Sequence, residues 1–276
     1  MEKTTDAFRA PVERLDFIAQ PDDARERING WVSTQTKQRI RNIIGEGGVG
    51  PATRLVLVNA IYMLADWANA FEKKETGAQD FTLSNGTTTR APMMHRTMDV
   101  RSGATNGARM VELPYRGNAL SMTLIVPDAV DGLAAIEATL GNRTVGEIDK
   151  ALKTQRTAVA LPRFTIDPSA PLALGAALRA LGVTSAFDPA TADFSAIARP
   201  EDPARRLYIT DVVHKAFVKV DEKGTEAAAA TALSMDPSSA EPMAFDVTAE
   251  RPFVFLVRDR ATGLVRILGR VASPRS

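Results

Sequence analysis

The sequence contains no cysteine, which excludes disulfides, thiol nucleophiles and thiolate metal sites. It contains only two histidines, His95 and His214, which lie far apart in the chain, so it predicts neither a metal site nor a serine hydrolase triad. The charges nearly cancel, with 34 Lys and Arg against 33 Asp and Glu. A net charge of +1 gives no field that would steer nucleic acid or anionic membranes to the protein, and neither is predicted as a partner.

Long hydrophobic runs are also missing. The longest nearly apolar run, Leu55 to Ala65, is interrupted by Asn59 and is far shorter than the ~20 residues of a membrane-spanning helix. Residues 1–10 are mostly polar and charged, so the sequence predicts no signal peptide there. The sequence predicts no membrane segment and does not indicate a compartment. An extracellular or periplasmic location is expected only if a longer N-terminus exists.

What is present is an ordinary globular composition, 45% hydrophobic and 24% charged, over 276 residues. Short strand patterns with turn signals between them alternate with a few helical patterns, and no regular strand-helix-strand order occurs. The sequence therefore predicts an α+β fold dominated by antiparallel sheet.

Several patterns predict particular elements. Asp22 or Asp23 can cap a helix whose apolar residues recur at helical spacing as far as Ile43, and a further helix is predicted at 172–181. The run 55–64 is typical of a strand buried on both faces. Residues 207–220 alternate, which predicts a strand with His214 on its buried face and Lys215 on its solvated face. A histidine hydrogen-bonded inside the core is favoured there over a catalytic base, and no catalytic residue is predicted.

One glycine-rich motif, Gly45 to Gly50, has the G-x-G-x-x-G spacing of the dinucleotide-binding fingerprint but not its structural context. That fingerprint follows a strand and opens a helix, whereas this motif follows a predicted helix and precedes a predicted strand. The phosphate-loop, metalloprotease and serine hydrolase motifs are absent from the sequence. The sequence therefore predicts no cofactor and no metal.

One stretch departs from the patterns around it. Residues 221–232 read Asp-Glu-Lys-Gly-Thr-Glu-Ala-Ala-Ala-Ala-Thr-Ala, and irregular sequence rich in Ser, Pro and Ala follows. Local propensity favours a short exposed helix at 226–233, capped by Thr225. The alternative is that small uncharged side chains are required because the segment has two fates, a solvated loop and a strand inserted into a sheet.

This stretch resembles the reactive-loop hinge of an inhibitory serpin. Further motifs resemble serpin signatures in the correct order along the chain: Leu57–Tyr62 with Asp66–Trp67 and Phe71, Val111–Tyr115, Leu161–Phe164, Leu181–Val183 with Ala186–Phe187, Val213–Ala216, Arg251–Phe255 and Leu268–Val271. On this resemblance the chain is identified as a member of the serpin family from about residue 10 to its end.

The resemblance implies the serpin fold, which has a mainly antiparallel central sheet, B and C sheets, surrounding helices and an exposed reactive loop, here at about 222–250. We expect a single partial serpin domain over residues 1–276. The resemblance does not include the family's N-terminal third, which supplies the first helices, one B-sheet strand and one central-sheet strand, and two explanations are open: the sequence begins late, or this chain is a fragment. We expect the uncovered faces and strand edges to make the chain a poor inhibitor that self-associates.

The function implied by the resemblance is inhibition of a serine protease, not enzymatic catalysis. The protease cuts the loop, and the freed hinge inserts into the central sheet and stalls the acyl-enzyme. In a strand, alternate residues from Thr225 onward share the face that becomes buried. The implied hinge consists of Glu222, Gly224, Thr225, Glu226, Ala227, Ala228, Ala229, Ala230 and Thr231.

Further roles also come from the resemblance. Glu222 resembles the family's glutamate that pairs with a basic residue, here Arg163, at the top of the sheet, and Trp67 is assigned to the same region. Asn59 and His214 resemble the hydrogen-bonded pair beneath the sheet opening, which would make His214 a latch.

The cleavage point follows from counting along the loop. Seventeen residues counted from Glu222 place the scissile bond at Ser238–Ser239, with Ala240 and Met235 as alternatives. No residue between Leu233 and Phe245 is basic, which favours an elastase-like or subtilisin-like target over a trypsin-like one. The alternative function is that of a non-inhibitory binding or storage protein, or an inactive truncated remnant.

Overall fold

The computed structural model describes residues 12–275 except 106, 141, 203–204 and 226–244. Contacts divide the chain into two compact units, the first formed by Met1–Tyr62 with Asp167–Phe217 and the second by Met63–Ile166 with Val218–Ser276. One long strand, Ile209–Val220, contributes residues to both units. The expectation of a single domain over residues 1–276 stays a prediction.

Strands predominate over helices. The described helices are α1 (Pro21–Gln35), α2 (Leu133–Thr139), α3 (Asn142–Ala151) and α4 (Gly175–Ala180). The described strands are β1 (Leu55–Tyr62), β2 (Ala65–Asp66), β3 (Gly77–Thr82), β4 (Thr88–Thr105), β5 (Ala108–Pro114), β6 (Leu120–Pro127), β7 (Lys153–Pro162), β8 (Phe164–Ile166), β9 (Leu172–Ala173), β10 (Ile209–Val220), β11 (Gly224–Thr225), β12 (Phe245–Thr248), β13 (Phe253–Asp259) and β14 (Val265–Val271). Their order confirms the predicted α+β class.

In the first unit, α1 is shorter than the sequence predicts. It begins at Pro21, because proline suits a first helical position whose N–H has no partner in the helix. Neither Asp22 nor Asp23 caps it, since both lie in its first turn, where negative charge favours the helix dipole. The helix ends at Gln35 and does not reach Ile43.

The early end of α1 has a local cause in Thr36. The hydroxyl of Thr36 donates to the carbonyl oxygen of Val32 at 2.8 Å and accepts from the amide of Ile40 at 3.1 Å. The two residues after Thr36 then adopt positive φ angles of 48° and 64°. Ile40 and Ile43 still pack with Val32 in the core of this unit, but they do so from a loop.

β1 and β10 are the long strands of the first unit. They pair in parallel from Leu55 opposite Ile209 to Tyr62 opposite Phe217, with one irregularity after Leu55. β9 pairs antiparallel with β10 at Val213 and His214, so the helix predicted at 172–181 is reduced to α4. Within the described residues, β1 has no second strand neighbour.

β1 is more exposed than its sequence predicts. None of its residues is buried, and Leu57 is 40% exposed. The prediction of a strand buried on both faces is therefore wrong for β1.

β10 is the strand that is covered on both faces. Val213 and Phe217 pack into the core that contains α1 and β1 residues, whereas Val212 packs in a separate cluster with Phe187. Lys215 lies on the face of Val213 and Phe217 and is only 8% exposed, so its predicted solvated position is wrong. Its ammonium lies 3.6 Å from the carboxylate of Asp167, which compensates the buried charge.

The second unit contains a sheet with the strand order β12-β7-β4-β5-β6-β13-β14, and β3 lies beside β4. Neighbouring strands are antiparallel except β12 and β7, which are parallel. Residues of α2 and α3 pack against this sheet in a core that includes Met110, Ile125, Leu133, Ile148, Leu152, Val254 and Leu256. In a smaller group of strands, the end of β10 pairs with β8 and with β11, and β11 also pairs with β2.

The described helices are all too short or too polar to cross a membrane. The same residues contain no group of three or more histidine or acidic side chains arranged to hold a metal ion.

Candidate functional site

The candidate site in the second unit is a tight turn that follows β10. The amide of Asp221 donates to the carbonyl of Gly224 at 2.9 Å, and the amide of Gly224 donates back at 3.2 Å. Val220 and Thr225 are therefore opposite each other in an antiparallel pair. Gly224 has a φ angle of 155°, and a Cβ at this position would lie 2.1 Å from the carbonyl oxygen of Ala65. Only glycine fits this turn without displacing the backbone beside it.

The two residues that leave the turn form a strand with two neighbours. β11 lies between the end of β10 and β2, where Gly224 is opposite Asp66 and Thr225 is opposite Ala65. β11 is antiparallel to both neighbours. The side chain of Thr225 is fully buried. The start of the predicted hinge thus already occupies a position inside a sheet.

The turn is held by the chain that follows β2. The indole N–H of Trp67 donates to the carbonyl of Asp221 at 3.0 Å, and its backbone amide donates to the carbonyl of Lys223 at 2.7 Å. The backbone amide of Phe71 donates to the carbonyl of Glu222 at 2.8 Å. Three consecutive carbonyl groups of the turn are therefore satisfied by one short segment, which fixes the position of the hinge base.

Glu222 is 3% exposed and lies between two donors. Its carboxylate accepts from Nε of Arg163 at 2.9 Å, from a second guanidinium nitrogen of the same side chain and from the hydroxyl of Thr76 at 2.7 Å. Burial alone would raise the pKa of Glu222, but the hydrogen bonds from Arg163 and Thr76 outweigh it and the pKa lies below its ordinary value. The structure thus brings together the predicted Arg163 and Glu222, and it adds Thr76.

Thr225 has a partner that the sequence analysis did not assign. Its hydroxyl lies 2.8 Å from the hydroxyl of Tyr115, which is 1% exposed. The ring of Tyr115 stacks on Trp67 with centroids 4.6 Å apart and planes inclined by 10°. Burial raises the pKa of Tyr115, so its hydroxyl keeps its proton at neutral pH. Only the place of Tyr115 at the end of the motif 111–115 pointed toward it.

The second pair of predicted residues lies in the first unit, on the parallel ladder of β1 and β10. Asn59 and His214 are opposite each other in the register, and Nδ1 of His214 lies 2.9 Å from Oδ1 of Asn59. Asn59 is exposed and His214 is half-buried, so the expectation of a histidine inside the core is wrong. The pair forms a side-chain bridge across the two strands.

The remaining predicted site residues lie outside the described part of the chain. These are the hinge from Glu226 to Thr231, the proposed bond Ser238–Ser239, and the alternatives Met235 and Ala240. The predicted exposed helix at 226–233 lies there as well.

Comparisons with known proteins agree with this geometry. The family model described as serpin (serine protease inhibitor) matches residues 1–274. An uncharacterized serpin-like protein of Thermococcus kodakarensis is 37% identical over 275 residues, which cover 97% of this chain and 61% of the relative. The human leukocyte elastase inhibitor is 36% identical, with 98% of this chain and 72% of the relative covered. The chain thus spans about three fifths of the length of the first relative.

Solved structures agree with the sequence relatives. The native state of tengpin, a thermophilic serpin, superposes with a TM-score of 0.86 at 27% identity, covering 98% of this chain and 67% of tengpin. Thyroxine-binding globulin in complex with thyroxine superposes with a TM-score of 0.84 at 26% identity, covering 100% of this chain and 71% of the globulin.

Proposed function

Because this chain belongs to the serpin family and has the serpin fold, we propose that it inhibits a serine protease as a suicide substrate. In this proposal the segment after Thr225 is bait for the protease. Once it is cut, the freed hinge continues the path of β11 and inserts as a strand between β1 and β10. The protease, still attached to the loop, is carried along before it can complete hydrolysis.

The observation that carries the proposal is the direct parallel pairing of β1 with β10 from Leu55 to Tyr62. Parallel ladders are slightly less stable per residue than antiparallel ones. A strand that runs in the direction of β11, opposite to β10, would replace this single parallel ladder with two antiparallel ladders. Insertion therefore has a driving force in backbone hydrogen bonding alone, which supports stored free energy in the uninserted fold.

The hinge side chains support the same proposal. Thr225 is followed on its face by Ala227, Ala229 and Thr231, and the opposite face carries Glu226, Ala228 and Ala230. Small side chains can enter a sheet between existing strands without displacing packed neighbours, and the face that begins with Thr225, which is proposed to become buried, carries no charge that would need a buried partner.

The chemistry requires one bond to form and one to break. The serine oxygen of the protease forms an ester with the carbonyl carbon of Ser238, and the amine of Ser239 leaves with the proton that the protease's own base supplies. Water must then break the ester to free the protease. The proposed trap works because insertion distorts the protease before that second step.

The proposed target is an elastase-like or subtilisin-like protease. Residues 234–244 contain no Lys or Arg, and the leukocyte elastase inhibitor is among the relatives. Ser238–Ser239 is the proposed scissile bond, with Met235 and Ala240 as the alternatives. Self-association through uncovered strand edges stays a prediction.

The test is incubation of the chain with an elastase and with subtilisin, followed by electrophoresis in hot detergent. A band at the summed mass of chain and protease supports the proposal, and mass spectrometry of the released peptide identifies the bond. If the chain is only cut and no such band forms, the inhibitor proposal fails.

A non-inhibitory binding protein is the second candidate. The superposition on thyroxine-binding globulin, solved with thyroxine, is the observation that favours it. A chain that is cut without trapping the protease, but whose melting temperature rises with a small hydrophobic ligand, would support this second function.

A further inference from the structure

We infer that Tyr115 is a positioning residue for the hinge. Its hydroxyl holds Thr225 in the sheet before any cleavage, so that β11 is the first inserted step of the reactive loop. The effect on inhibition rests on the function proposed above, whereas the position of the hinge in the uncut chain does not.

Both hydroxyl groups of the Tyr115–Thr225 pair are buried. Thr225 is fully buried and Tyr115 is 1% exposed, so water cannot satisfy either hydroxyl while β11 is in place. Each hydroxyl has the other as its partner at 2.8 Å. A buried hydroxyl that loses its partner costs more than the hydrogen bond itself contributes, because its desolvation is then uncompensated. The pair therefore favours the seated hinge only as long as both members are present.

Tyr115 is itself held in a fixed position. Its ring stacks on Trp67, and the backbones of these two residues form an isolated antiparallel bridge. Trp67 in turn donates both of its N–H groups to the turn that precedes Thr225. The hydroxyl is thus presented by a ring that has little freedom to follow a departing hinge, which makes the interaction specific for the seated position.

The hydrogen bonds from the segment after β2 hold the turn and not the side chain of Thr225. The hydrogen bonds from Trp67 and Phe71 reach backbone carbonyls of residues 221–223 and stop before Gly224. Tyr115, in contrast, forms a side-chain hydrogen bond with Thr225, the first residue proposed to enter the sheet. Loss of its hydroxyl should therefore release β11 and loosen the end of the turn at Lys223, where β11 begins.

The experiment measures cleavage after Lys223 by a lysine-specific protease in the free chain, with fragments 1–223 and 224–276 identified by mass. In the seated hinge the carbonyl of Lys223 accepts from Trp67 and its amide donates to the Asp221 carboxylate at 2.9 Å, which protects this bond. We expect Tyr115→Phe to accelerate this cut at least roughly five- to tenfold, the lower end of the effect of one buried hydroxyl left without a partner.

The matched variants separate the hydrogen bond from general destabilisation. Thr225→Val should accelerate the cut by a similar factor, since it leaves the Tyr115 hydroxyl unpaired. The double variant should return to the parent rate, because no buried hydroxyl is then left without a partner. Tyr62→Phe, which removes a hydroxyl in the first unit, is the control. If Tyr115→Phe does not fold, Thr225→Val tests the bond from the other side.

Two outcomes would overturn the inference: a parent-like rate in both single variants, or a double variant that is cut at least as fast as the faster single variant. The inhibition assay is separate. If the uncut chain behaves as expected but no covalent complex forms with any protease, the proposed function fails and the positioning role stands. If covalent complexes form but both single variants are cut at the parent rate, the proposed function stands and the positioning role of Tyr115 fails.

Discussion

The two units differ in which strand lies beside β10. In the second unit a short antiparallel strand, β11, lies between β2 and the end of β10. In the first unit β1 and β10 pair directly, and no described strand separates them. The two places also differ in their side chains. Gly224 and the buried Thr225 fill the place between β2 and the end of β10, which we call the occupied position. The direct ladder of β1 and β10, which we call the closed ladder, carries the bridge of Asn59 and His214. The occupied position and the closed ladder therefore depend on different residues, and a mutation can change one without changing the other.

The largest effect is expected from Thr225→Arg, which breaks the occupied position. An unpaired charge cannot enter the fully buried position of Thr225 without a cost of several kcal/mol. We expect the hinge to leave the sheet and the loop to be cut as an ordinary substrate, with the covalent complex lost. Detergent electrophoresis after reaction with an elastase measures this. Thr225→Ser, which keeps the hydroxyl, is the control, and a variant Thr225→Arg that still traps the protease would contradict the assigned geometry.

Gly224→Ala should have the next largest effect. The new Cβ would meet the carbonyl oxygen of Ala65 at 2.1 Å, and the φ of 155° is unfavourable for alanine. We expect the hinge to be released at a cost of about 1–3 kcal/mol, seen as faster cleavage after Lys223. Gly263→Ala is the matched control, because Gly263 also has a positive φ of 72° but its Cβ would meet open space. Equal cleavage in the two variants would show that backbone strain, and not the occupied position, decides the result.

A smaller effect is expected from pH through Glu222. Its folded-state pKa lies below the ordinary value of 4.5, so the ionised form stabilises the fold above pH 4.5, and this stability is lost as pH falls through the folded-state pKa. Because Arg163 is still 36% exposed, we expect on the order of 1 kcal/mol. Hydrogen exchange at the Phe71 amide, which donates to the backbone carbonyl of Glu222, should accelerate in acid. Glu222→Gln should remove this pH dependence, whereas Glu137→Gln on the surface should retain it.

The smallest effect is expected at the closed ladder. Asn59→Ala removes the bridge to His214, which is partly accessible to water, so we expect a loss of about 0.5–1 kcal/mol. Urea denaturation of the uncut chain measures this. His214→Ala should cost a similar amount, and the double variant little more than either single variant. Full additivity would show that the two side chains act independently and that no bridge stabilises the ladder.

Sequence reasoning succeeded where a pattern is local or a family motif carries it. The α+β class followed from strand patterns with turn signals between them, and the resemblance placed Arg163 beside Glu222. It failed where distant chain segments decide. Tyr115 and Thr225 are separated by 110 positions, so their hydrogen bond depends on the pairing of strands that neither segment encodes alone.

The same limit explains the errors in the strands. Alternation placed Lys215 in solvent, but a core cluster covers that face of β10 and Asp167 provides the counter-charge. The end of α1 is an exception, because it was missed although its cause is local. The side chain of Thr36 hydrogen-bonds the carbonyl of Val32 and the amide of Ile40, which apolar spacing does not encode.

The fluorescence of Trp67 reports on the position of the hinge. The chain has two tryptophans, of which Trp31 is 40% exposed and Trp67 is 2% exposed. The indole of Trp67 lies on the Tyr115 ring and donates to the carbonyl of Asp221. When the turn moves, this indole loses a hydrogen-bond acceptor and gains water, both of which alter the wavelength and yield of its emission. In a chain carrying Trp31→Phe a single emitter remains, so departure and return of the hinge can be timed in a stopped-flow instrument without any attached dye.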